Sequence, residues 1–171
     1  MFTIRRLEAH EWRKYRALRL RALADSPDAF GSTLAIEEVR ADAVWSERLA
    51  IAANAPDQFP VVAQLSTELV GLIWGRVNAD TPHVAQVYQM WVAPECRGNG
   101  CGAMLLDALI AWAGNTSAEF VHLSVTIANS AAVRLYARIG FEPYGEPESL
   151  RADSPLFAQP MQLALRRDSR E

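Results

Sequence analysis

The stretch VAQVYQMWVAPECRGNGCGAMLLDALIAWA, residues 84–113, decides how this chain folds. Its first part, Val84 to Val92, is rich in β-branched and aromatic residues and predicts a strand. Pro94 lacks a backbone donor and restricts Ala93 to extended conformations, so the strand stops there. Gly98, Gly100 and Gly102 follow at every second position. From Ala103 the apolar pattern turns helical: Met104, Leu105, Leu109 and Ala113 share one side, and Leu106 and Ile110 widen the stripe. Glycines entering a helix leave backbone N–H groups uncovered, where the first turn has orphan donors and the positive end of the dipole. The turn is therefore either a seat for a phosphate or pyrophosphate or a tight turn of purely structural use. Arg97 either helps to neutralise such an anion or pairs with Glu95.

Working outward, Phe2 to Leu7 alternates loosely as an opening strand, and Glu11 to Leu23 has helical spacing. The arginines and lysine of that helix read either as a solvated face or as a nucleic-acid contact. Asp42 is the expected cap of a further helix through Trp45 and Ala52. Phe59 to Leu65 and Leu69 to Val77 read as two strands whose tight connection makes them most simply antiparallel. Beyond the quoted stretch, Phe120 to Val125 predicts a strand. Asn129 caps a helix that Gly140 ends, and Phe141 to Tyr144 starts another strand. Glu146 to Pro160, with three prolines, predicts a long loop before a closing strand, Met161 to Leu165, and a frayed end from Arg166. Strand and helix alternate from Val84 onward and a hairpin precedes them. The expected class is α/β (α+β), a single domain over residues 1–171 with a mixed, mostly antiparallel sheet flanked by helices.

A chain of 171 residues, half of them apolar, can bury a core without staples. The net charge of -3 argues against broad nucleic-acid or anionic-membrane binding. Cys96 and Cys101 are too few for a disulfide framework, and with scattered histidines they match no zinc pattern, so no metal is expected. The opening MFTIRRLEAHEW has no uninterrupted apolar run, which predicts neither signal peptide nor spanning helix and gives the cytoplasm as the expected location.

Two motifs carry the chemistry. Arg97-Gly98-Asn99-Gly100-Cys101-Gly102 lacks the lysine and Ser/Thr of a P-loop, and only Glu119 stands near the ribose-reading distance of a dinucleotide fold. The second is NSAAVRLYARIGF, residues 129–141, where Asn129 is a cap and Tyr136 a half-buried aromatic. In this order, over residues 84–144, the two motifs resemble those of the acyl-CoA-dependent N-acetyltransferase (GNAT) superfamily. Arg97, Gly100 and Gly102 match its coenzyme turn, and Asn129, Leu135-Tyr136 and Gly140-Phe141 match its later segment.

The resemblance implies the acyl-CoA N-acyltransferase fold, acetyl-CoA as cosubstrate without a metal, and direct transfer to a primary amine of a small molecule in a ternary complex. Acetylation of a protein N-terminus or lysine is one alternative. A non-catalytic acyl-CoA-binding or sensory module is the other. By the same resemblance, backbone amides of Gly98, Asn99, Gly100, Cys101, Gly102 and Ala103 hold the pyrophosphate beside Arg97. The pantetheine arm enters a gap beside the central strand, along Met90, Trp91 and Val92. The Val92 N–H polarises the thioester carbonyl. Asn129 touches the pantetheine or acetyl end, and Tyr136 protonates the departing thiolate or orients it. The family's glutamate base corresponds to Gln86, which cannot take a proton, leaving Glu37, Glu38, Asp80 and His83 as substitutes. Tyr88, Met90, Trp74 and Trp91 are candidates for an apolar acceptor wall, and Cys101 at a helix start is a candidate for a lowered thiol pKa. A homodimer is a further expectation of the family. No nucleic-acid or membrane partner is expected.

Overall fold

The computed structural model describes residues 1–166. Its centre is the strand β4, Val84–Val92, with the bounds that its β-branched and aromatic content predicts. The elements before it are β1 (Thr3–Arg6), α1 (Trp12–Asp25), α2 (Leu34–Glu38), α3 (Asp42–Ala52), β2 (Gln58–Leu65) and β3 (Glu68–Val77). After it come α4 (Cys101–Gly114), β5 (Phe120–Thr126), α5 (Ser130–Ile139), β6 (Glu142–Pro143), β7 (Glu148–Ser149) and β8 (Phe157–Ala164). The strands form one sheet in the order β1-β2-β3-β4-β5-β8-β6, with β7 also on β8. Every pairing is antiparallel except β4 with β5. The expected mixed, mostly antiparallel sheet with helical cover is therefore the observed one.

The two faces of β3 show how the helices are distributed. Trp74 and Gly75 are neighbours and so point to opposite faces. Trp74 meets Tyr15 of α1, ring centres 5.2 Å apart, and Tyr15 meets Trp45 of α3 at 5.5 Å. Gly75 lies instead against Leu109 and Trp112 of α4. Thus α1 and α3 cover one face and α4 the other.

Several boundaries differ from the sequence expectation. The helix expected from Ala103 begins at Cys101, because Gly100 is its N-cap, at φ 84°, and its carbonyl already accepts from the Met104 N–H at 3.0 Å. Ala41, not Asp42, is the cap of α3. Its backbone is extended and its carbonyl takes the Val44 N–H, so Asp42 stands in the first turn. The loop expected through Pro160 is shorter, since β8 starts at Phe157. Pro160 has no N–H to offer, but its carbonyl accepts from the Tyr144 N–H at 2.8 Å, so the strand runs through it. Of the frayed end, residues 167–171 lie outside the described residues.

Candidate functional site

The site is built where β4 stops being an ordinary strand. Gln89 has φ 58°, left-handed for a non-glycine residue, and the β3–β4 register shifts between Leu72 and Trp74. This is a β-bulge, with the extra residue on β4. A buried tether fixes it: the Tyr15 hydroxyl donates to Gln89 Oε1 at 2.8 Å. On its other side β4 pairs with β5 only over Val84–Gln86 against Phe120–His122. Beyond that the two strands part.

The gap receives unpaired backbone from β4. The Ala93 N–H donates to the Val70 carbonyl at 2.8 Å, so residue 93 faces β3. Ladder bonds alternate along a strand, and Val92 therefore turns its N–H and C=O the other way. The Val92 carbonyl accepts from Arg97 Nε at 2.9 Å, which folds the turn back onto the strand end. Arg97 Nη2 reaches Asp25 Oδ2 at 2.7 Å. Of the two readings of Arg97, the pair with Glu95 is not formed, since Glu95 is taken by Arg21 at 2.7 Å. Trp91 Nε1 and Ser26 Oγ also donate to Asp25. Ser26 first, then Trp91 and Arg97, holds its carboxyl below the ordinary range.

The turn itself is open. Gly98 at φ 78° and Gly100 at φ 84° have nothing within 4 Å of where a side chain would stand. Gly102 serves closeness instead, since a Cβ there would lie 3.1 Å from Leu135 and 3.3 Å from Met90. That contact presses the start of α4 against α5 and β4. The amides of residues 101–103, in the first turn of α4, have no acceptor within the helix. They look onto a cleft of about 600 Å³.

Met90, Trp91 and Val92 line this cleft from β4. Arg97, Gly98, Gly100, Cys101, Gly102 and Ala103 line it from the turn, and Asn129 and Tyr136 from α5. Asn99 does not; it is exposed, its Nδ2 donating to the Arg97 carbonyl at 3.4 Å. Asn129 caps α5 as expected, Oδ1 accepting from the Ala132 N–H at 3.3 Å. Tyr136 is buried with its ring edge on Phe141. Among the described residues no group hydrogen-bonds its hydroxyl, and burial pushes its pKa up, so it stays protonated. Cys101 is corrected: its side chain is buried, Sγ lies 3.4 Å from the Cβ position of Gly71, and burial, foremost, pushes the thiol up to about 11. Facing the sheet interior outweighs its place at the helix start.

The match with known proteins follows the same geometry. The acetyltransferase (GNAT) family model matches residues 12–141. The chain belongs to this GNAT family. It is 36% identical over 130 residues to a mycothiol acetyltransferase of Thermobispora bispora, covering 73% of this chain and 41% of that one. A mycothiol acetyltransferase of Salinispora arenicola is 31% identical over 128 residues, 73% of this chain and 39% of that protein. The chain thus spans less than half the length of these curated relatives. Among solved structures, a GNAT acetyltransferase of Streptococcus pneumoniae superposes with a TM-score of 0.82 at 20% identity, covering 96% of this chain and 99% of that one. Spermidine N-acetyltransferase of Vibrio cholerae, solved with CoA and spermine, gives 0.76 at 19% identity, covering 96% and 95%. Both show the fold.

The substitutes for a base do not gather in the GNAT cleft. Glu37 is buried and held by Arg40 at 2.8 Å and by Ser32 Oγ at 2.9 Å. Glu38, Asp80 and His83 are exposed elsewhere, and Gln86 lies in the paired part of β4. Among the described residues no Asp, Glu or His lines the cleft, and none forms a cluster fit for a metal. Tyr88, Met90 and Trp91 all line the cleft, but from two faces: Trp91 bonds to Asp25 at the end of α1, whereas Met90 lies against Gly102 of α4. Trp74 does not line it, because it points into the core against Tyr15.

Sequence reasoning missed Ser26, Ala29 and Phe30 after α1, the Leu123–Thr126 end of β5, and Arg134 and Arg138 of α5. Arg134 had a signal, since it lies two positions before Tyr136 and so near the Asn129 end. Phe30, in an irregular stretch, had none.

Proposed function

We propose that this chain is an acetyl-CoA-dependent N-acetyltransferase that moves the acetyl group to a primary amine of a small molecule in a ternary complex. One observation carries the reading: β4 and β5 part beyond Gln86 and His122, and the gap opens onto the uncovered amides at the start of α4. The thioester supplies an activated acetyl group. The open turn at Gly98 and Gly100, the α4 dipole and the cationic Arg97, Arg134 and Arg138 suit a diphosphate and a further phosphate.

Each residue then has a chemical task. The Val92 N–H donates to the thioester carbonyl as negative charge builds there. The amine nitrogen bonds to the carbonyl carbon and the carbon–sulfur bond breaks. Sulfur leaves with the electron pair, and Tyr136 donates a hydrogen bond to it. The amine must arrive neutral, and with no carboxylate or imidazole among the described residues lining the cleft its proton leaves through water. The test is release of free thiol from acetyl-CoA in the presence of a panel of amines, amino acids and peptides. Acetylation of at least one small amine is expected. Thiol release that is independent of any amine would overturn the transfer.

A further inference from the structure

The backbone of Gln89 is unusual for its side chain. A φ of 58° comes freely only to glycine, and another residue holds it where its surroundings impose it. Here the constraint comes from α1, whose Tyr15 hydroxyl donates to Gln89 Oε1 at 2.8 Å. Tyr15 is itself fixed. It is fully buried, its ring centre 5.5 Å from that of Trp45 on α3 and 5.2 Å from that of Trp74 on β3. Burial, foremost, pushes its pKa up, so the hydroxyl keeps the proton that it donates. Two residues further along β4, α1 grips the strand again, where Trp91 Nε1 donates to Asp25 Oδ2 at 3.0 Å. Met90, between the two grips, lines the cleft.

The bulge decides where the backbone beyond it points. Ladder bonds alternate along a strand, and the extra residue shifts that alternation by one place between Leu72 and Trp74. With the bulge in place, the Ala93 N–H faces Val70 of β3 and the Val92 N–H faces the gap. Without it the two would exchange, and the N–H at residue 92 would bond to β3. We propose that Tyr15 is a positioning residue for acetyl transfer: through Gln89 it holds the bulge of β4 and so aims the Val92 N–H at the thioester carbonyl. This rests on the acetyltransferase function proposed above. Tyr15 does not itself line the cleft and acts only through Gln89, which does.

The test reads the carbonyl without any acceptor. The full chain is saturated with acetyl-CoA labelled with carbon-13 at the acetyl carbonyl, and the C=O stretch is recorded by infrared difference spectroscopy. In the wild-type complex the band lies below that of free acetyl-CoA, because a hydrogen bond to the oxygen weakens the C=O bond. In Tyr15→Phe it returns towards the free value. Two substitutions at residue 89 separate backbone from side chain. Gln89→Leu loses the tether and keeps the strain, so its band moves as in Tyr15→Phe. Gln89→Gly loses both, since glycine takes this φ freely, and its band stays nearer that of the wild type. With an amine acceptor, Tyr15→Phe lowers kcat by up to about 100-fold, the cost of a small misplacement, at little change in KM for acetyl-CoA. A wild-type band at the free value, or a Tyr15→Phe band equal to the wild-type one, overturns the proposal. So does a Gln89→Gly band displaced as far as that of Gln89→Leu, which would make the Gln89 amide a direct ligand. A band shifted in the wild type and restored in Tyr15→Phe, with no amine acetylated, overturns the transferase reading and leaves the positioning role standing.

Discussion

At the scale of single residues, Tyr136 decides whether the reaction ends by proton transfer or by hydrogen bonding. Its phenol is buried, without a protein partner among the described residues, and its pKa is raised. An ordinary thiol ionises near 8.5, about 1.5 units below an ordinary phenol. Complete transfer of the proton to the leaving sulfur is therefore uphill, and donation of a hydrogen bond is the role that burial permits. Tyr136→Phe should lower kcat by about 10- to 100-fold, the worth of one hydrogen bond to a charged group, and leave acetyl-CoA affinity within about twofold. Steady-state rates and calorimetric titration measure the two separately. Equal losses in both would make Tyr136 a binding residue. The Asn129 cap and the glycine turn were legible because each obeys a local rule of caps and turns, whereas Tyr136 read locally only as a half-buried aromatic and took its role from the family resemblance. Gln89 and Asp25 were not legible. Their roles come from Tyr15, at a sequence separation of 74, and from Trp91, at a separation of 66.

At the scale of elements, the seating of α4 on β3 sets where the helix N-terminus meets the cleft. Gly71 and Gly75 leave the room for it. A Cβ at Gly71 would stand 3.0 Å from Leu105, and one at Gly75 only 2.7 Å from the Trp112 ring. Trp112 is stacked on Phe59 with ring centres 5.3 Å apart and planes within 8°, so it has little freedom to move aside. Gly75→Ala should overpack this interface and cost about 1–3 kcal/mol of stability, read by urea unfolding. An unchanged midpoint would mean that the ring yields freely. The sequence placed glycines inside this strand but gave no hint of which helix they admit. The bounds of β4 followed from composition and Pro94. The start of β8 did not, because whether a strand tolerates Pro160 depends on which neighbour needs its N–H.

At the scale of the whole molecule, the alternation of strands and helices made the class legible, whereas the early parting of the parallel pair β4 and β5 was implied by the family resemblance and not by that alternation. Nor did it show how α1, which bears Tyr15, Arg19 and Asp25, is anchored at its start. That anchor is ionic. Arg5 of β1 grips Glu11 through two bonds, Nη2 to Oε1 at 2.7 Å and Nη1 to Oε2 at 2.9 Å, and the Glu8 N–H adds a third at 2.9 Å. The hydrogen bond from Arg5, foremost, lowers the Glu11 pKa from an ordinary 4.5 to about 2 although its side chain is only 5% exposed. The folded-state pKa lies below the unfolded one, so the unfolded chain binds the extra proton as the solution is acidified. The stabilisation is complete above about pH 4.5 and is lost as pH falls towards 2. It amounts to at most about 3 kcal/mol. Glu11→Gln should lower the urea midpoint at pH 7 and flatten its decline between those two pH values. Parallel declines in the two proteins would show that the acid sensitivity of the fold lies in other carboxylates and that β1 holds α1 by packing alone.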